Sequence, residues 1–157
     1  MAEIIKAIRK EKEIGLAFFI MPLDFLRAIR TELISIVGED RAAIILFKCG
    51  SASGKALVER MNLSSKVEDL HTILSGVWLE IGLGRLRMEK GEGDYTIHIF
   101  DSIEAQAVGN IGKNVCNLTR GYLAGTVTAL TGKEYDCIEL KCRSNNNPHC
   151  LYTLTEK

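Results

Sequence analysis

The sequence predicts an α+β domain in which helices pack on a largely antiparallel sheet. Three observations predict it. Apolar residues recur at period two between 94 and 100, and apolar stretches bounded by turn signals cover 85–100 and 134–155. Apolar residues recur at helical period in the segments that precede and separate these stretches. The chain has 157 residues, with no linker, repeat or low-complexity tract to divide it, so it reads as a single domain over 1–157.

Residues 1–13 are charged and helical in character, with a short apolar face at Ile4, Ile5 and Ile8. Residues 14–21 read as a buried strand. Pro22 then opens a helix, because proline suits a first turn, and Gly38 stops it. Residues 42–48 read as a second buried strand. A glycine-rich turn, Gly50 to Gly54, leads into a helix over 54–61. Ser65 and Glu68 form a capping box before a helix whose apolar face is Val67, Leu70, Leu74, Val77 and Ile81. A hairpin over 85–89 and 94–100 turns through Gly91, Glu92 and Gly93, with Tyr95, Ile97 and Ile99 on one face. A long helix is expected over 110–131. Its Gly121 and Gly125 are four apart, which lets another element approach closely. Strands over 134–141 and 149–155 flank the loop Ser144 to Pro148.

Bulk properties exclude several function classes. The 20 basic and 20 acidic residues cancel, so no excess of charge favours nucleic acid or an anionic membrane. The apolar stretch from Ile14 to Leu26 is cut by Asp24 and too short to cross a bilayer. Acidic residues before it do not suit a secretory signal, so a cytoplasmic location is expected. Gly50-Ser51-Ala52-Ser53-Gly54-Lys55 follows an apolar run where a phosphate loop would sit. Only three residues separate its glycines, and Ala56 stands where that motif needs Ser or Thr, so the nucleotide reading fails.

Four of the five cysteines lie between 116 and 150: Cys116, Cys137, Cys142 and Cys150. In a reducing compartment their prior shifts from disulfides to metal, catalysis or burial. Cys142 and Cys150 suit the two sides of a β-turn, Cys116 lies near the start of the long helix, and Glu139 sits near the same strand end as Cys142. Thiolates and a carboxylate that converge this way can ligate zinc. The alternative, that these cysteines are small buried hydrophobes, is equally open on spacing alone. Cys49 reads as core packing, and His71 and His98 have no evident companions.

The C-terminal part carries a family pattern. The run DYTIHIFDSIEAQAVG, then Cys116, then GYLAGTVTALTGKEY at 121–135, then Glu139-Leu140-Lys141-Cys142 and Pro148-His149-Cys150-Leu151-Tyr152, resembles the vinyl-4-reductase domain family, most clearly over 94–154. The resemblance implies the NO-signalling and Golgi-transport ligand-binding-like fold, shared with phenol-sensor domains of transcription activators and with Golgi transport (TRAPP) subunits. In the phenol sensors three cysteines and one glutamate hold a zinc ion, and Cys116, Glu139, Cys142 and Cys150 reproduce that spacing. Four protein ligands imply a structural zinc. The histidine and tryptophan that hold phenol in those sensors have no match here, because the single tryptophan, Trp78, falls in a helix. Phenol specificity is therefore not carried over.

Three functions follow from this. The first is a binding or sensor domain for a small apolar or aromatic ligand, with Trp78, Tyr95 and Cys137 as lining candidates and a separate signalling protein as partner. The second is reduction of a tetrapyrrole vinyl group, or the holding of such a substrate for another enzyme. No dinucleotide or flavin fingerprint is present, so the reading leans away from an enzyme. The third is a dimeric scaffold, with residues 14–21 and the helix over 22–37 as the homodimer surface.

Overall fold

A computed structural model of the chain describes residues 21–61, 70–92 and 94–157. The helix expected over 1–13, the strand expected over 14–21 apart from Met21, and the Ser65–Glu68 capping box lie outside them. Among the described residues are five α-helices and four strands: α1 (Leu23–Val37), α2 (Glu39–Arg60), α3 (Leu70–Glu80), β1 (Arg85–Lys90), β2 (Asp94–Phe100), α4 (Ile103–Val108), α5 (Asn117–Thr131), β3 (Tyr135–Lys141) and β4 (Cys150–Glu156). A 3₁₀ turn, Arg143–Asn145, joins β3 to the loop before β4.

The strands form one sheet in the order β1-β2-β4-β3, every neighbouring pair antiparallel. Strict alternation decides its faces. Tyr95, Ile97 and Ile99 of β2 are buried, as are Cys150, Tyr152 and Leu154 of β4, while the residues between them are partly exposed. The register sets these inward residues in rows. Cys137, Leu154 and Tyr95 form one row, Glu139, Tyr152 and Ile97 the next, and Cys150 with Ile99 the third. Helices α3 and α5 cover this face: α3 packs on β1, and α5 on β3 and β4. The core between them holds Trp78, Leu70, Leu74, Leu123 and Val127. Helix α2 backs α5, and α1 packs on α2 and α4. No helix among the described residues is long and apolar enough to cross a membrane.

Two expectations are corrected. Residues 42–48 are not a strand, and Gly50–Gly54 is not a turn: both lie inside the continuous helix α2. The residues that decide this are Ala42, Leu46, Gly50 and Gly54, spaced four apart and all buried, which make one helical stripe. Ile44, between them in sequence, is 56% exposed, which a doubly buried strand would not allow. The stripe lies on α5, where Gly121 and Gly125 meet it. A Cβ on Gly121 would come within 1.9 Å of the Phe47 carbonyl oxygen, and one on Gly50 within 2.1 Å of that of Leu118. Glycine is used here for close backbone approach, as expected for Gly121 and Gly125 and unforeseen for Gly50 and Gly54. The long helix expected over 110–131 starts later, at Asn117. Gly109 and Gly112 take φ of +79° and +72°, which breaks the helical run and leaves α4 as a separate short helix.

Candidate metal centre

The segment between α4 and α5 and the turn between β3 and β4 are sewn together by backbone and amide hydrogen bonds. Ile111 and Gly112 donate their N–H groups to the Ser144 carbonyl at 3.0 and 2.9 Å. Ser144 donates its hydroxyl to the Ala105 carbonyl at 3.2 Å, and Asn114 donates its amide to the Glu139 carbonyl at 2.9 Å. These contacts fix the residue before α5 against the end of β3. That residue is Cys116.

Glu104 of α4 holds the other side. Its carboxylate accepts the N–H groups of Leu118 and Thr119 at 3.0 and 2.8 Å and the Thr119 hydroxyl at 2.8 Å. A capping side chain would normally do this from the residue before the helix, but Cys116 makes no side-chain cap. Glu104 supplies the cap from a distance and leaves the Cys116 sulfur free to face the sheet. Burial raises the Glu104 carboxyl to about 7, against the pull of its three donors.

Four side chains converge beside this helix start. The Cys116 sulfur lies 3.6 Å from that of Cys142 and 3.9 Å from that of Cys150, and the last two are 3.9 Å apart. A disulfide would need sulfurs at about 2.05 Å, and all three cysteines are free. Glu139 brings a carboxylate whose Oε2 accepts the Cys116 N–H at 3.1 Å. One ligand atom from each of the four residues lies within 4.8 Å of the others, and all four can together hold a metal ion. An irregularity in the pairing between Glu139 and Lys141 turns the chain so that Glu139 and Cys142 face one point. The 3₁₀ turn then places the Arg143 N–H 3.5 Å from the Cys150 sulfur. The Ser102 hydroxyl lies 3.7 Å from the Cys116 sulfur.

The electrostatics of the cluster favour a cation. Burial, and then the Cys142 charge, push the Glu139 carboxyl up to about 8. Hydrogen bonds shared with Cys142 and Cys150 raise the Cys116 thiol, while the bonds it receives from Cys116 and Cys142 hold Cys150 as the thiolate. Four acidic groups this close cannot all ionise in a buried site without positive charge. The Glu139 Oε1 is buried and has no hydrogen-bond partner among the described residues. A bound cation would complete that oxygen and reverse the upward shifts.

The three pocket candidates lie on the same core but not in one place. Cys137 and Tyr95 flank Leu154 in one cross-sheet row. Tyr95 also packs on Tyr135, ring centroids 5.8 Å apart, at a cleft of about 210 Å³ that Lys90, Asp94 and Lys133 help to line. Trp78 rises from α3 and meets Tyr122 of α5 edge-on at 5.2 Å. Its indole N–H is buried and has no hydrogen-bond partner among the described residues. Cys49 is exposed rather than in the core. His98 does have a companion: its Nδ1 is 3.0 Å from the Nε2 of His149 across β2 and the start of β4.

Two residues of the site escaped sequence reasoning. Tyr152 is fully buried, two residues after Cys150 and directly opposite Glu139. The alternation Cys150, Tyr152, Leu154 was a signal for its inward direction. Glu104 had none, because its partners lie fourteen and fifteen residues away.

Comparison with known proteins agrees with this geometry. The model of the vinyl-4-reductase domain matches residues 95–156. Two proteins of Methanocaldococcus jannaschii, both uncharacterized, are similar in sequence. One is 30% identical over 63% of this chain, a match that spans 58% of that relative's length. The other is 26% identical over 85% of this chain and 75% of its own. Three solved structures share the fold. The phenol-responsive sensory domain of the transcription activator PoxR, with phenol, has a TM-score of 0.75 at 24% identity, covering 88% of this chain and 76% of that one. A vinyl-4-reductase family protein from Methanocaldococcus jannaschii has a TM-score of 0.64 at 20% identity, covering 99% and 94%. Subunit 3 of a trafficking protein particle complex from Naegleria fowleri, covalently bound to palmitic acid, has a TM-score of 0.65 at 14% identity, covering 86% and 95%. Residues 95–156, which carry three of the four converging ligands in β3 to β4 and the fourth at the start of α5, are a vinyl-4-reductase domain set in the fold that these three structures share.

Proposed function

We propose that the chain is a small-molecule binding domain clamped by one structural zinc ion on Cys116, Glu139, Cys142 and Cys150. The sulfur triangle carries the metal part of this reading. Zinc–sulfur bonds of about 2.3 Å at tetrahedral angles set sulfurs about 3.8 Å apart, and here the separations are 3.6, 3.9 and 3.9 Å. Four protein donors leave no open position, so the ion clamps rather than catalyses. It ties the start of α5 to the ends of β3 and β4 and so fixes the helix that covers the sheet.

The ligand of this proposal is a small apolar or aromatic molecule held between the sheet and helices α3 and α5. Support comes from the fold, since one neighbour of this shape carries phenol and another carries palmitic acid. It comes also from Trp78, whose buried N–H is a donor with no acceptor among the described residues. Trp78, Tyr95 and Cys137 are the lining residues. Burial raises the Cys137 thiol, which suits packing and not nucleophilic attack, so binding is favoured over vinyl reduction. A second copy of the chain is the proposed partner on α1, where Leu23, Ile29 and Ile36 are exposed. The signal would pass to a separate protein in the cytoplasm, a compartment that five free cysteines suit.

Elemental analysis with native mass spectrometry of untagged protein tests both parts. About one zinc per chain, lost in Cys142→Ala, is the expected result, and a co-purifying small mass would lead to the ligand. Protein prepared without chelator that carries no metal would refute the clamp.

A further inference from the structure

Tyr152 is the largest side chain in the row between the four converging ligands and the Cys137–Tyr95 row. It is fully buried, and its hydroxyl has no hydrogen-bond partner among the described residues. A phenol is normally placed in a core with its hydroxyl satisfied. Three relations point to what should satisfy this one. Cys150 precedes it by two residues on the same face of β4, so their side chains are neighbours. Glu139 is its direct cross-strand partner on β3. After burial, the Cys116 sulfur is the charge that bears most on its ionisation, ahead of Glu139 and Cys150. The hydroxyl therefore points at the cluster without yet being in hydrogen-bond geometry with it.

We infer that Tyr152 is a positioning residue of the metal centre, its O–H donating a hydrogen bond to the metal-bound Cys116 thiolate. This rests on the zinc reading above. A thiolate bound to a cation remains electron-rich and is a far better acceptor than the thiol. In the metal-bound cluster Cys116 would thus carry two hydroxyl neighbours, Ser102 from the α4 side and Tyr152 from the sheet. Groups around the metal ligands that orient them in this way typically matter roughly 10- to 100-fold in metal affinity. Tyr152 also touches both regions of the proposed mechanism. Its hydroxyl faces the clamp, and its ring lies against the row that contains Cys137, Leu154 and Tyr95. A ligand that shifts the ring would thereby alter the donor on the metal-bound sulfur.

The test uses the full chain loaded with Co²⁺, whose sulfur-to-metal charge-transfer band reports electron density on the thiolates. Tyr152→Phe keeps the ring and removes only the hydroxyl. The expected result is a band moved to lower energy, because the sulfur loses a donor, with Zn²⁺ binding weakened roughly 10-fold or more in competition with a chromophoric chelator. Tyr135→Phe, on the same sheet face but far from the cluster, should leave the band in place. Thiolate–Co²⁺ bands identical in Tyr152→Phe and wild type would overturn the inference and leave the clamp standing. Wild-type protein that shows no thiolate–Co²⁺ band would overturn the clamp and the inference with it. If Tyr152→Phe fails to fold, the cadmium-loaded wild-type protein decides. A Tyr152 hydroxyl proton that is protected from exchange and scalar-coupled to cadmium supports the bond, and one in free exchange overturns it.

Discussion

The crossing of α2 on α5 offers the sharpest quantitative test of how the site is positioned. In Gly121→Ala the new methyl would meet the Phe47 carbonyl oxygen at 1.9 Å, its carbon at 2.7 Å and the Ser51 nitrogen at 2.9 Å. All three are backbone atoms of α2, so no side chain can swing away. Carbon and carbonyl oxygen normally approach no closer than about 3.3 Å, so the two helices must separate by roughly 1.4 Å. Such a gap weakens dispersion along the whole crossing, since a shift of even 0.5–1 Å loses about a quarter to a half of each contact. Overpacking of this kind costs about 1–3 kcal/mol. Against it stands the gain of about 1 kcal/mol for alanine over glycine inside a helix. The rigid backbone on both sides puts the cost at the upper end, and the net loss is about 2 kcal/mol. In a chain of this size that is a fall of about 4–8 °C in Tm. Gly76→Ala in α3 is the control, because a Cβ there has nothing within 4 Å. It should gain about 0.5–1 kcal/mol by the same helical preference. Denaturant unfolding of both variants against wild type, with metal content held constant, is the assay. A Gly121→Ala protein as stable as wild type would refute the close-contact account of α2 and α5.

Further outcomes can be checked alongside it. Cys142→Ala should lose the metal and the stability it gives to the turn between β3 and β4, read by metal content and melting together; unchanged values for both would exclude Cys142 as a ligand. Cys49→Ala should retain a full equivalent of metal, because Cys49 lies on α2 outside the four-residue cluster. Trp78→Phe should weaken ligand capture in native mass spectra while keeping the metal, because the indole N–H is its only buried polar group; equal capture would remove it from the pocket. Glu104 predicts a pH dependence. Its folded pKa of about 7 lies above the 4.5 of a free carboxyl, so the folded state holds the proton more tightly. Stability is then full below pH 4.5 and declines as pH rises to about 7. Glu104→Gln should flatten that decline, and urea midpoints that fall equally in both proteins would show that another group is responsible.

The parts of the fold legible in the sequence are those where one local pattern had one meaning. Tyr95, Ile97 and Ile99 alternate beside a Gly-Glu-Gly turn, and only a half-buried hairpin strand explains that. The spacing of Cys116, Glu139, Cys142 and Cys150 was legible because two short strands and a turn leave little freedom between 139 and 150. The segment that the sequence disguises has two meanings. Residues 42–48 are a short apolar run, which a buried strand and a buried helix share equally. The glycines at 50 and 54 look like punctuation. Their use is tertiary, to admit the backbone of α5, and nothing within the segment itself distinguishes a glycine that turns the chain from one that lets a neighbour in. Tyr152 and Glu104 were hidden for the same reason: what matters about each is a partner on another element.

The glycine contacts and the cysteine cluster constrain the same object from two ends. α5 carries Gly121 and Gly125 against α2, Glu104's cap over Leu118 and Thr119, and Cys116 immediately before its first turn. A helix fixed only by its glycines could slide along its own axis, because a shallow backbone contact resists separation more than translation. The carboxylate cap and the sulfur triangle resist translation, since each ends on particular atoms at the helix start. Neither constraint would suffice alone to hold the Cys116 sulfur within 4 Å of two others. It follows that the two perturbations should not be additive. Gly121→Ala should cost more stability in the metal-loaded protein than in the metal-free one, because only the loaded protein forbids α5 from shifting to relieve the contact.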